Sequence, residues 1–135
     1  MLLPVLAGAV FGAMVALLAR TRQGGETPPL AMGLVAAAMV YVAFALPAAD
    51  PRWLFIEGAG VALFGALAWL GRTSAGWLAL GWTVHVAWDV GLHLDRTQPV
   101  VGAWYPLLCV GFDLIVAGFL LRAATVIVGS RAEAA

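Results

Sequence analysis

The segment HVAWDVGLH, residues 85 to 93, sets two histidines and an aspartate at intervals of four in an otherwise apolar run. At 100° per residue, Asp89 lies about 40° and His93 about 80° from His85, so the three share one helical stripe, with Trp82 and Arg96 at its ends. Imidazole and carboxylate side by side can bind a metal ion or pass a proton. His85 and His93 are about 12 Å apart along a regular helix, so only neighbouring pairs, His85 with Asp89 or Asp89 with His93, could share one ion. Glu57, in FIEGAG, and Asp113, in CVGFDLI, place two more carboxylates inside apolar runs.

The elements that must hold these groups are membrane helices. Of 135 residues, 64% are hydrophobic and 10% charged, and the mean hydropathy is +1.00, a balance foreign to soluble domains. A spanning helix needs about 20 apolar residues, and five segments approach that length, at about 2 to 19, 30 to 47, 52 to 71, 75 to 94 and 102 to 122. The breaks GGETPP, LPAADP, GRTSAG and DRTQP carry the residues that interrupt helices, and Thr73 or Ser74 is placed to cap the fourth. The expected fold is an all-α, five-transmembrane-helix bundle forming one domain over residues 1 to 135. Such short connections predict antiparallel neighbours in sequence order.

All seven basic residues are arginines. With five spans, one face collects Arg20, Arg22, Arg72, Arg122 and Arg131, and the other Arg52 and Arg96. The positive-inside rule then predicts a multi-pass protein of the cytoplasmic membrane, with the N-terminus outside and the C-terminus in the cytoplasm. Trp53, Trp104 and Tyr105 near outer helix ends, with Trp69 and Trp77 near inner ends, fit aromatic belts. Arg20 and Arg22 follow the first apolar run rather than precede it, which argues for a retained helix instead of a signal peptide. Scattered arginines form no basic patch, which excludes nucleic acid as a partner. Gly8 and Gly12 have small-xxx-small spacing, which suits packing within the chain first and a homodimer contact second.

Depths along the predicted helices bring the polar groups together. Glu57, Asp89 and Tyr41 come out about 9 Å from the outer helix ends, His85 about 15 Å and Asp113 about 18 Å, with Cys109 one turn shallower than Asp113 on the same face. Four helices thus send polar groups into the outer half of the bundle, and the first sends none. An ionised side chain at a helix centre costs about 2.5 to 3.5 kcal/mol on insertion scales, so Glu57, Asp89 and Asp113 must face one another or water. A proton shared between carboxylate and imidazole is the expected resting state.

Read singly, His93 is an interfacial histidine, Tyr41 a belt tyrosine and Cys109 a core residue rather than a ligand. Read together, the group supports three functions. Acid–base chemistry, of isomerase, cyclase or hydrolase type, on a lipid-like or isoprenoid substrate ranks first. There His85 and Asp89 form the proton-handling pair, Glu57 the partner acid, Asp113 a deeper orienting or second acid–base group, and Trp82 and Trp88 aromatic walls of a substrate pocket that also takes in Tyr41 and Cys109. The runner-up is a divalent metal site for zinc, iron or manganese, with redox or sensing roles, drawing on His85, Asp89, His93, Glu57 and Asp113. It lacks the Glu-x-x-His motif of di-iron bundles. A structural polar network comes third. Proton conduction is disfavoured because no comparable chain continues to the cytoplasmic face. Implied partners are membrane lipid and a hydrophobic small molecule.

The pattern H-x-x-W-D in HVAWDVGLH, followed about twenty residues on by W-Y-P-x-x-C-x-G-F-D in WYPLLCVGFDL, resembles a bacterial family of small integral membrane proteins of unknown function. The resemblance spans about residues 82 to 118. It implies a polytopic membrane protein with motif positions at His85, Trp88, Asp89, Trp104, Tyr105, Pro106, Cys109 and Asp113, and it implies no activity. Leu92 departs from the pattern, where histidine often precedes the position of His93, and this lowers the case for a histidine-rich metal cluster.

Overall fold

The computed structural model describes residues 1–23, 25–94 and 101–133, with side chains described as far as 125. The described residues are helical: α1 Leu2–Arg20, α2 Thr27–Ala48, α3 Pro51–Gly71, α4 Ala75–Trp88, a π turn Asp89–His93 continuing α4, and α5 Trp104–Glu133. Four of these, α1, α2, α3 and the Trp104–Thr125 part of α5, are long and apolar enough to cross a membrane. Leu2, Val10, Leu17, Phe55 and Leu121 point outward, as side chains that meet lipid would.

Helix starts follow local chemistry. The Asp50 side chain accepts from Arg52 N at 2.9 Å and caps α3, and Ser74, of the two residues proposed, caps α4 through Trp77 N. Pro28 and Pro29 sit in the first turn of α2, where a missing N–H costs nothing. For that reason α2 begins before the expected residue 30. Ala49 closes α2 with φ at 51°. The DRTQP break and Arg96 lie outside the described residues, as does the Arg131 side chain.

The fourth segment keeps its expected bounds, with α4 and the π turn running together from Ala75 to His93, but not its regularity. Its regular part covers 14 residues, about 21 Å, and the π turn must supply the rest of a bilayer crossing. The π turn then takes over, with Leu94 N donating to Asp89 O. A π turn spaces its hydrogen bonds five residues apart and widens the helix. His93 is therefore not carried further round the stripe, as a regular helix would carry it.

The order of packing also differs from the sequential neighbours expected. α1 packs mainly on α5 and only marginally on α2, while α2 packs on α3, and α4 on α5 and α3. Glycines decide this. A Cβ on Gly8 would strike the Leu108 carbonyl, one on Gly111 the Val5 carbonyl, and one on Gly12 would lie 2.7 Å from Phe112 O. Backbone meets backbone along this seam, so α5 occupies the face of α1 that a dimer through Gly8 and Gly12 would need. Leu30, Leu34, Phe64, Leu78, Trp82, Val116 and Leu120 fill the core between the helices.

Candidate functional site

The polar residues lie at one end of this apolar core. Glu57, His85, Asp89, His93 and Asp113 are the buried polar or charged residues among those described, each at most 3% exposed. α3 supplies Glu57, α4 supplies His85, the π turn supplies Asp89 and His93, and α5 supplies Asp113. α2 adds Tyr41, 1% exposed. α1 contributes no buried polar side chain among the described residues, as expected.

His85 is the hub. Its Nδ1 lies 2.7 Å from Asp113 Oδ2 and 3.5 Å from Asp89 Oδ2. Tyr41 donates its hydroxyl to the other Asp89 oxygen at 2.7 Å. Asp89 is thus held from α2 and α4 at once, and Asp113 is tied to α4 across 28 residues of sequence. Phe64 packs edge-on against the imidazole at 4.7 Å between ring centroids. His85 Nε2 is buried and has no hydrogen-bond partner among the described residues.

Glu57 and His93 form an adjoining cluster. His93 Nε2 lies 3.5 Å from Glu57 Oε1, and the Trp88 indole N–H donates to Glu57 Oε2 at 3.4 Å. Gly60, one turn after Glu57, makes room for Trp88, since a Cβ there would come within 2.8 Å of the indole. Tyr41 joins the two clusters: its ring stacks on His93 at 3.9 Å and faces His85 at 6.1 Å.

Three of the sequence readings change. His93 is buried rather than interfacial, because the π turn and the Tyr41 stack draw it inward. Tyr41 is no belt residue, since it is buried and bonded to a carboxylate. Tyr105, assigned to the outer belt, is half-buried and packs edge-on against Tyr41 at 5.6 Å. Cys109 is buried, as a core residue should be. Of the two proposed aromatic walls, Trp88 belongs to Glu57, and Trp82 lines a neighbouring crevice.

That crevice has a volume of about 210 Å³ and runs between α1, α2, α4 and α5, where α1 and α2 draw apart. Its walls are mainly apolar, from Phe11, Gly33, Ala37 and Leu108, and Asp113 is the member of the polar group that lines it. Sequence reading missed the crevice, the π turn and the roles of Phe64, Gly60 and Gly111. Gly111 was visible as the glycine of CVGFD, opposite the Gly8–Gly12 pair. Phe64 carried no signal, because its direction depends on how α3 docks.

His85, Asp89 and Asp113 each offer one ligand atom, all within 4.8 Å of one another. Glu57 and His93, also proposed as ligands, stand with each other rather than in that group. Chemically, two carboxyls and one imidazole carry no net charge only when they share two protons, so the group can hold a proton to give and a site to accept one. An Asp–His hydrogen bond through Nδ1 also fixes the ring and leaves Nε2 as its reactive face.

Fold and site define an all-helical, apolar protein, with helices fit to cross a membrane, built around a buried His–Asp–Asp group. The chain belongs to a family of unknown function (DUF6010), whose model matches residues 1–126. No curated protein and no solved structure matches it.

Proposed function

We propose that this protein is a multi-pass bundle of the cytoplasmic membrane, one domain with its N-terminus outside, that performs acid–base chemistry on a lipid-like molecule. The observation that carries the reading is the position of Asp113, which is bonded to His85 Nδ1 at 2.7 Å and lines an apolar crevice. A hydrophobic molecule in that crevice meets a carboxyl whose proton is shared with an imidazole. His85 holds the proton, Asp89 is its second carboxylate, and Tyr41 fixes Asp89. Glu57 is the partner acid, held by His93 and Trp88. Such an arrangement suits moving a proton between two positions of one substrate, as in isomerisation or cyclisation.

The test compares lipid extracts of cells making the wild type or the alanine variants at Glu57, His85, Asp89 and Asp113. A lipid change that depends on the wild type and is lost in His85→Ala and Asp113→Ala supports the reading. Indistinguishable extracts for all four variants and the wild type return the group to structural glue.

A second reading, a divalent metal site for zinc, iron or manganese, is favoured by the three ligand atoms within 4.8 Å. It ranks lower because two ligands of a tetrahedral ion stand about 3.3 Å apart at usual bond lengths, whereas His85 Nδ1 and Asp113 Oδ2 are at hydrogen-bonding distance, 2.7 Å. Stoichiometric metal in purified protein, lost in His85→Ala or Asp89→Ala, would put it first.

A further inference from the structure

We infer that the crevice between α1 and α2 seats one uncharged, chain-like lipid bearing a hydrogen-bond acceptor, which enters sideways from the bilayer and docks its acceptor at Trp82 beside Asp113. This rests on the acid–base reading for its biological purpose, but its geometry stands apart from any reaction.

Four observations carry it. First, the entrance lies between helices. α1 is held by its glycine seam to α5 and scarcely meets α2, and Phe11 and Ala36, which line the crevice, are both exposed on its outer side. A molecule dissolved in the bilayer reaches this opening without crossing water.

Second, the crevice is narrow. Its volume of about 210 Å³ falls below the ~300 to 1,000 Å³ common for drug-sized ligands. Gly33, Ala36, Ala37 and Val40 form its α2 wall, and the small side chains of the first three keep the slot open. Two acyl tails or a fused ring system exceed it, and the remainder of a single chain can trail into lipid.

Third, its electrostatics reject anions. The described arginines Arg20, Arg22, Arg52, Arg72 and Arg122 are all exposed, and none lines the crevice. A phosphate or carboxylate there would meet no described arginine, and the His85 proton is already shared with Asp113 and Asp89, so the anion would stand uncompensated in a low-dielectric setting.

Fourth, a residue of the crevice wall carries a donor in need of an acceptor. Trp82 is 1% exposed, and its Nε1 has no hydrogen-bond partner among the described residues. An indole N–H can only donate, so the matching group on a ligand is a carbonyl, ether, epoxide or hydroxyl oxygen.

Binding of a radiolabelled long-chain methyl ketone to the full chain in phosphatidylcholine nanodiscs tests this, with palmitate and hexadecane as competitors. Saturable ketone binding is expected, with both competitors at least about tenfold weaker, because one lacks the acceptor and the other carries charge. Ala36→Leu, at the exposed mouth, and Gly33→Leu, inside the slot, should abolish binding with little change in Tm. Trp82→Phe should weaken it about tenfold. Absence of saturable ketone binding, palmitate binding as tightly as the ketone, or unaltered binding to Ala36→Leu would each overturn the inference. His85→Ala separates the two claims: ketone binding that survives in this variant, in a protein whose lipid extracts match the wild type, sinks the acid–base reading and leaves the lipid slot standing.

Discussion

His85 Nδ1 stands 2.7 Å from Asp113 Oδ2, and this single contact ties α4 to α5 where both are buried from solvent. Among the described residues, no arginine forms an ion pair with either. The pair is therefore held by mutual proton sharing, with Asp89 as the third member. Removing Asp113 leaves His85 buried with only its longer, 3.5 Å contact to Asp89.

Asp113→Ala is accordingly expected to destabilise the fold by about 3 to 5 kcal/mol. Asp113→Asn, which keeps an acceptor oxygen for Nδ1–H, should cost well under half of that. Reversible unfolding in mixed micelles distinguishes them, and equal losses would mean that His85 does not use the Asp113 oxygen.

Tyr41 has two separable roles. Tyr41→Phe removes the hydroxyl bonded to Asp89 but keeps the ring stacked on His93, for an expected loss of about 1 to 3 kcal/mol because a buried carboxylate loses its donor. Tyr41→Ala also removes the stack and should cost distinctly more. A stability curve in which Phe and Ala behave alike would show that one of the two contacts contributes nothing.

At the α1–α5 seam, Gly8→Leu or Gly111→Leu forces the backbones apart, since each glycine abuts a carbonyl of the other helix. Each should cost at least about 3 kcal/mol, beyond ordinary overpacking, because backbone atoms cannot rotate away. Gly118→Leu, with open space around it, is the control. The seam predicts that Gly8→Leu weakens the folded monomer and leaves oligomeric state, read by light scattering, unchanged. Loss of a dimer in that variant would place Gly8 at an interface between copies.

Gly60→Leu should push the Trp88 indole off Glu57, because even a Cβ would approach its ring to 2.8 Å. The expected result is altered Trp88 emission, read in a background with the other tryptophans replaced by phenylalanine, and little effect of Gly60→Leu alone on ketone binding in the otherwise wild-type protein, since Trp88 does not line the crevice. Unchanged emission would mean that the indole does not rest on Gly60.

Much of this architecture was legible because its causes are local. Apolar run length marks the helices, and proline, aspartate and serine mark their ends, as Asp50 and Ser74 show. The burial of Glu57, His85, Asp89 and Asp113 together follows from the cost of leaving ionisable groups against hydrocarbon. What could not be read depends on how helices meet. A regular 100° stripe put His93 in line with Asp89, whereas the π turn hands it to Glu57 and Tyr41. Short connections implied α1 beside α2, yet the backbone contacts of Gly8 and Gly111 bring α1 to α5 instead. The same choice opens the crevice.

The central claim, that His85 shares its proton with Asp113 while His93 belongs to Glu57, is tested most directly by nitrogen NMR of protein labelled at its two histidines in lipid bilayers. The account predicts that Asp113→Asn shifts the His85 Nδ1 resonance and leaves His93 nearly unmoved, and that Glu57→Gln does the reverse. A His85 resonance indifferent to Asp113→Asn would contradict it.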